Sequence, residues 1–178
     1  MDRLVEIGHV GKYVMARAES ITLDIFNATL YYAQKDYLAT NGLSLMPDVF
    51  VARQGGAVPL LMDYMIKRKE WSSNDGSWYY TLESPDLDYI APKAIEYLDK
   101  WLDICMTEKT GKEIKEMLKD SAWENAWKAR QDDPELGVIS KIAMARAAGA
   151  SEDMVNQIRE RIVTSAMLMG TDPIIQFD

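Results

Sequence analysis

The sequence predicts a mainly α-helical domain, a compact multi-helix fold arranged around one central helix. The strongest support is an uninterrupted amphipathic segment at residues 22–41 that carries capping residues at both ends. Capping residues, prolines and glycines also separate several further segments of helical periodicity. With 178 residues, 48% of them hydrophobic, the chain is long enough to bury a core without disulfides or a metal ion.

The central helix is defined by its two ends and by a wide apolar surface. Thr22 can accept a hydrogen bond from a free N–H of the first turn, and Gly42 can adopt the left-handed conformation that often ends a helix. The residues at helical spacing are Leu23, Phe26, Leu30, Ala33 and Tyr37, and the surface is widened by Ile25, Thr29 and Tyr32. A surface this wide predicts that neighbours pack on more than one side of the helix.

The segments on either side of the central helix are shorter. Residues 9–18 have helical spacing and predict a first helix that packs against the central one. Residues 49–51 predict either a short strand or an extended core segment, and Pro59 fits the first turn of a following helix. Gly55 and Gly56 lack the lysine and hydroxyl residue of a phosphate-binding loop, which indicates a backbone turn.

Residues 71–83 predict a small β-hairpin, because an Asn-Asp-Gly turn separates two aromatic segments. A two-stranded unit is marginal alone, so it must lie on the helices or on a partner. Two interpretations of its aromatic residues stay open: an exposed binding site or a cap on the helical core. These residues are Trp71, Trp78, Tyr79 and Tyr80.

The second half of the chain predicts a series of short helices. Pro92 begins one that continues through Met106. Two capping boxes follow, each a hydroxyl residue with a glutamate three positions later: Thr110 with Glu113, and Ser121 with Glu124. The helix after the second box places Trp123 and Trp127 on one face, where they could contact a partner or fill the core.

The last segment predicts a C-terminal helical hairpin that packs on the preceding helices. Asp133 and Pro134 begin its first helix, which runs through Ala148, and Ser151 caps its second, which runs through Met169. We therefore divide the chain into a helical domain at residues 1–132 and a hairpin with its tail at residues 133–178.

Composition and motifs exclude several classes of protein. A net charge of −8 opposes nucleic-acid binding, which depends on phosphate neutralisation. No apolar run is long enough to cross a membrane, and one cysteine cannot form an internal disulfide, so we expect a cytoplasmic protein. A single histidine and the lack of metal-ligand motifs predict no catalytic residues, no metal and no cofactor. We expect that the chain is not an enzyme.

Three ordered motifs, spanning roughly residues 11–130, resemble the Panacea domain, also called the SocA-like antitoxin domain. The first comprises Thr22, Leu30, Tyr31, Tyr32, Ala33, Gln34, Tyr37, Leu38 and Gly42. The second comprises Ala52, Gly56 and Val58, and the third Ser121, Glu124 and Trp127. The chain departs from the family pattern at four positions, with Ala28 and Thr29 for the usual Lys and Leu, Ala57 for proline and Ala122 for histidine.

The resemblance implies a mainly helical bacterial or phage protein that binds another protein. Family members look like antitoxins that neutralise a cognate toxin by direct contact, and one subtype resembles an adaptor that delivers its toxin to a protease. The acidic charge would suit a basic toxin, and exposed aromatic residues would slow dissociation. The candidate partner-binding residues are Tyr31, Gln34, Arg53, Trp78, Tyr79 and Trp127.

Two alternatives stay open. In one, the chain is a phage or prophage accessory or structural protein that has lost its toxin partner and forms a homo-oligomer through the C-terminal hairpin. In the other, it is a small-molecule enzyme that uses the loop at Gly55 and Gly56.

Overall fold

The computed structural model describes residues 3–67, 72–73, 77–132 and 137–169, with side chains over residues 6–66, 77–130 and 137–168. Its α-helices are α1 Arg3–Ala18, α2 Leu23–Asn41, α3 Leu60–Lys67, α4 Pro92–Asp103, α5 Gly111–Met117, α6 Ser121–Asp132, α7 Lys141–Ala147 and α8 Glu152–Met169. Its strands are β1 Ile21–Thr22, β2 Phe50–Arg53, β3 Gly56–Pro59, β4 Ser72–Ser73, β5 Trp78–Tyr80 and β6 Val138–Ile139. The predicted mainly α fold class is confirmed.

Helix α2 is the central element of this arrangement. It contacts helices α4, α5, α7 and α8 and strand β3. The Thr22 hydroxyl accepts the N–H of Ile25 at 3.4 Å, and Gly42 ends the helix at a φ of 64°. Of its 19 residues, 11 are buried, including polar Asn27, Gln34 and Lys35. The helix is therefore packed on more than one side, as its wide apolar surface predicts.

Two small antiparallel sheets flank the helices. In the first, Gln54 and Gly55 connect β2 to β3, and β6 pairs with the other edge of β2. In the second, β5 lies between β1 and β4. Strands β4 and β5 form the ladder of the predicted hairpin, while its turn at residues 74–76 lies outside the described residues. The predicted backbone turn is present, with Gly55 in the turn and Gly56 as the first residue of β3.

The helix expected from Asp133 to Ala148 is partly wrong. Residues 133–136 lie outside the described part of the chain, but residues 138–139 form strand β6 and helix α7 begins only at Lys141. Ile139 is buried opposite Phe50 of β2, so a β-branched residue completes the sheet where a helix was expected. The Ser140 hydroxyl then caps α7 by accepting the N–H of Ala143 at 3.0 Å.

The last two helices share the core of the earlier ones. Ile142 of α7 and Val155 and Ile158 of α8 belong to the same buried cluster as Leu30 and Phe50. Ser151 caps α8 as predicted, since its hydroxyl accepts the N–H of Met154 at 3.2 Å. Residues 137–169 are therefore integral to the packing around α2.

The second predicted capping box is also wrong, because the cap lies one residue earlier. The carboxylate of Asp120 accepts the N–H of Trp123 at 3.0 Å, and its backbone carbonyl accepts the N–H of Glu124 at 2.8 Å. Ser121 is the first residue of the helix. The first box, Thr110 with Glu113, is confirmed. Because the cap is Asp120 and not Ser121, a half-buried carboxylate accepts the free N–H groups at the start of α6.

Candidate functional site

Two of the predicted partner-binding residues lie in the core. Tyr31 and Gln34 on α2 are both 0% exposed. The Gln34 side-chain oxygen accepts the N–H groups of Leu45 at 3.0 Å and Met46 at 3.2 Å, which ties the chain after α2 back to the helix. Both residues therefore act within the fold, since a partner cannot reach either of them on this surface.

A buried ion pair connects α2 to the start of α6. The Lys35 ammonium pairs with one Asp120 oxygen, and the Tyr31 hydroxyl donates to the other at 2.9 Å. The Lys35 side chain is only 4% exposed, and its nitrogen lies 4.4 Å from the ring centroid of Tyr32. Because the same Asp120 carboxylate caps α6, this charge pair fixes where the helix begins.

Burial and the nearby carboxylate keep the two tyrosines neutral. Burial, followed by the charge of Asp120 and its hydrogen bond, raises the pKa of Tyr31 far above its ordinary value. Burial also raises the pKa of Tyr32 to about 12. The Tyr32 hydroxyl donates to the backbone carbonyl of Met117 at 2.9 Å, at the end of α5. Both hydroxyls therefore serve as hydrogen-bond donors that hold α5 and α6 on α2.

Four side chains lie in a row along the outer face of α6, one from the residues just before the helix and three from the helix. We call them the tryptophan stack: Lys119, Trp123, Trp127 and Arg130. The two indole rings are stacked, with centroids 5.6 Å apart and planes within 10° of each other. The Lys119 nitrogen lies 5.7 Å from the Trp123 ring, and the Arg130 guanidinium carbon lies 5.3 Å from the Trp127 ring. Both tryptophans are half-buried, so part of each ring reaches solvent.

The β2–β3 hairpin supports one end of this stack. The Trp123 indole N–H donates to the backbone carbonyl of Arg53 at 2.9 Å, and the Ala57 N–H donates to the carbonyl of Leu118 at 2.9 Å. A side chain at Gly56 would place its Cβ 2.5 Å from that of Leu118. The hairpin can approach the start of α6 this closely because residue 56 is glycine.

Arg53 and Trp127, two of the predicted site residues, therefore lie on the same side of the molecule. Trp123 connects them, through its bond to the Arg53 carbonyl and its stacking on Trp127. Arg53 is half-buried, and within the described residues its Nε is buried without a hydrogen-bond partner. Trp127 is one of the predicted partner-binding residues, whereas for Trp123 the sequence allows either a partner contact or a place in the core.

Trp78 and Tyr79 lie elsewhere, at the opposite end of α2. Trp78 pairs with Thr22 in the β1–β5 ladder, just before the helix begins. Lys35 follows Thr22 by 13 residues, which is about 20 Å along a helix. The structure therefore does not join all six predicted residues in one site. It brings Arg53 and Trp127 together and separates Trp78 and Tyr79 from them.

Four residues of the site were missed in the sequence. Lys35 follows Tyr31 by one helical turn inside the apolar surface of α2. A lysine at a buried position is rarely found without an ion-pair partner. Asp120 directly precedes the helix and is a good capping residue. Lys119 and Arg130 lie four residues before Trp123 and three after Trp127, the spacings that allow stacking on one helix face.

The site defines a class of protein: a helical domain that presents a fixed surface of aromatic and cationic side chains over a buried ion pair. Within the described residues, no group of three or more His, Cys, Asp or Glu side chains is placed to hold a metal ion. None of the helices described is both long enough and apolar enough to traverse a lipid bilayer.

Comparison with protein-family models, curated proteins and solved structures gives no match to this chain. The family resemblance stays a prediction.

Proposed function

We propose that this chain is a protein-binding module of the antitoxin type, which neutralises a cognate bacterial or phage toxin by direct contact. The observation that supports the proposal is the tryptophan stack. Two half-buried tryptophans lie side by side on one face of α6, and the buried pair of Lys35 and Asp120 fixes that helix on the core. Tryptophan is enriched among the residues that dominate binding energy at interfaces.

The rigidity of the surface favours binding without a large cost in entropy. The Trp123 indole is already held by the Arg53 carbonyl, and the stacked Trp127 leaves it few alternative rotamers. A partner that docks here has little side-chain freedom to remove, so more of the contact energy appears as affinity. Preorganised aromatic residues of this kind mainly slow dissociation.

Co-expression with the neighbouring reading frame tests the proposal. We expect the neighbour to arrest growth when expressed alone, and this chain to relieve the arrest and co-purify with it. Trp127→Ala should abolish the relief, while Leu82→Ala, which truncates an exposed residue on a connecting segment, should not. If neither adjacent gene product is toxic and neither co-purifies, the proposal is wrong.

The fate of the partner separates two forms of this function. A plain neutraliser leaves the lifetime of the toxin unchanged or longer, whereas a protease adaptor shortens it. Pulse-chase labelling of the toxin, with and without this chain, distinguishes the two.

Self-association of an accessory protein is the second candidate, because Met167 and Leu168 near the end of α8 are 73% and 84% exposed. Removing residues 133–178 would not test it cleanly, since Ile142 and Val155 belong to the core. Light scattering of the full chain and of the double variant Met167→Ser, Leu168→Ser is the better test. A mass above the monomer that falls in the variant supports this candidate, and a monomer in both excludes it.

A further inference from the structure

The tryptophan stack leaves the edges of its rings as the part that solvent reaches. Trp123 and Trp127 cover one face of each other, and Lys119 and Arg130 lie over the rings at the two ends of the row. The face of an aromatic ring is electron-rich, but its edge carries partial positive charge. A partner therefore meets positive edges between two cations, and this arrangement attracts carboxylates.

Among the described side chains, the cations around the stack form no ion pair, since Lys119, Arg53 and Arg130 take part in no salt bridge there. Two acidic residues at the start of α6 are already paired. Asp120 pairs with Lys35, and Glu124 pairs with Lys128 at 2.7 Å. The described side chains at the stack therefore carry a local positive charge on a chain whose net charge is −8.

Arg53 adds a donor on the flank of the stack. Its backbone carbonyl accepts the Trp123 indole N–H, so the residue is fixed beside the ring, and its Nε is buried without a partner among the described residues. Arg53 is half-buried, so its side chain is accessible in part, and its guanidinium charge can pair with an incoming carboxylate.

We propose that the tryptophan stack, with Arg53, binds an acidic segment of the partner, one in which Asp or Glu side chains flank an apolar side chain. The inference rests on the proposed function and names the partner chemistry of the same site. The carboxylates would pair with Lys119, Arg130 and Arg53, and the apolar side chain would pack on the indole edges. Nucleic acid is disfavoured as the occupant, because a long polyanion is repelled by the chain as a whole.

Peptide titration monitored by NMR tests this inference without knowledge of the partner. The chain contains five tryptophans, so five indole N–H signals report on five places, and Trp→Phe variants assign them. The probes are a short peptide of Glu and Leu residues, the same peptide with Gln for each Glu, and the same peptide with Lys for each Glu. We expect the Glu peptide to shift the Trp123 and Trp127 signals and to bind roughly tenfold tighter than the Gln peptide, with a loss of affinity as salt is added.

Charge-removing variants locate the contact. Lys119→Gln and Arg53→Gln should each weaken the Glu peptide severalfold. Lys112→Gln, which removes an exposed lysine of α5 that pairs with Glu116, serves as the matched control and should bind normally. Melting temperatures of all three verify that the fold is retained. Equal binding of the Glu and Gln peptides, or normal binding by Lys119→Gln, would overturn the inference.

The outcomes separate this inference from the proposed function. If a toxic neighbour co-purifies but Lys119→Gln and Arg53→Gln do not weaken that complex, the function holds and the acidic-segment inference fails. If the Glu peptide binds as expected but no neighbour is toxic, the site chemistry holds and the antitoxin function fails.

Discussion

Two aromatic regions of this chain look alike in sequence and differ in what lies beneath them. The pair Trp123 and Trp127 lies on a 12-residue helix whose first turn is capped by a carboxylate that is itself paired with buried Lys35. Trp78 and Tyr79 lie on a three-residue strand that pairs with two-residue strands on both sides. The first pair packs on the core beside a buried ion pair, whereas in the second pair Tyr79 packs on the core and Trp78 is 45% exposed.

This difference shows why clusters of aromatic residues are a weak guide to binding sites. Both regions satisfy the same sequence criterion, yet of the two only α6 presents stacked rings on a helix whose cap is held by a buried ion pair. Rigid support matters because a partner gains most from side chains whose freedom is already restricted. The comparison makes α6 the better candidate site, and four changes test it, from the largest expected effect to the smallest.

The largest effect should come from Asp120→Ala. The change leaves the Lys35 ammonium buried without a counter-ion and removes the cap of α6, so we expect a loss of about 3–5 kcal/mol in the free energy of unfolding. Urea unfolding measures it. Glu116→Ala, which breaks the exposed pair with Lys112, is the control and should change stability by less than about 0.5 kcal/mol.

A double variant shows whether the stability lost in Asp120→Ala comes from the unpaired charge of Lys35 or from the altered packing. Asp120→Asn keeps a capping side chain for α6, and Lys35→Met removes the buried charge, so together they should recover most of the lost stability. If Asp120→Ala costs no more than Glu116→Ala, the buried pair does not hold α6.

The next effect concerns the hairpin that supports Trp123. Gly56→Ala would place a Cβ 2.5 Å from Leu118 at a φ of 137°, so we expect a loss of about 2–3 kcal/mol. Gly55→Ala is the matched control in the same turn, because its Cβ would meet nothing within 4 Å. Thermal unfolding of both variants measures the difference. Equal melting temperatures would show that the hairpin does not depend on this close approach.

Local signals in the sequence were sufficient for most helices and insufficient for the site. Thr22, Gly42, Thr110 and Ser151 lie at helix ends as predicted, because a capping interaction involves residues a few positions apart. The pair of Lys35 and Asp120 spans 85 residues, and no short-range pattern indicates that these two side chains meet.

Long-range packing also explains where the structure differs from the sequence-based expectations. Residues 138–139 form a strand because β2 offers an open edge, and that edge comes from a hairpin about 80 residues earlier in the chain. Tyr31 and Gln34 are candidate partner-binding residues in the sequence. Both lie instead on the side of α2 that later helices and the loop after α2 cover. Long-range packing decided each of these cases.

A smaller effect is expected from Tyr32, and only at alkaline pH. Its pKa is raised from 10.0 to about 12, mainly by burial, so the neutral form favours the folded state. This contribution is complete below the unfolded pKa of 10.0 and is lost as the pH rises through about 12. Tyr32→Phe should therefore reduce the alkaline loss of stability by about 2 kcal/mol or less, since the ring is half-buried.

Urea unfolding at a series of alkaline pH values measures this effect. Tyr64→Phe, which removes the hydroxyl of an exposed tyrosine of α3, is the matched control. Identical slopes for Tyr32→Phe and the parent would mean that the Tyr32 hydroxyl is not held in a desolvated position beneath α5.

The smallest effect should come from Trp78→Ala, which tests the other side of the comparison. Trp78 is 45% exposed and its strand is three residues long, so we expect a loss below about 1 kcal/mol. Trp127→Ala, which removes a ring stacked between Trp123 and Arg130, should cost about 2–3 kcal/mol. Partner binding should follow the same order, because Trp127 belongs to a stacked pair of tryptophans, and tryptophans in well-packed clusters dominate binding energy at interfaces. If a Trp78→Ala variant folds normally and no longer binds the partner, the binding site lies at β5 and not on α6.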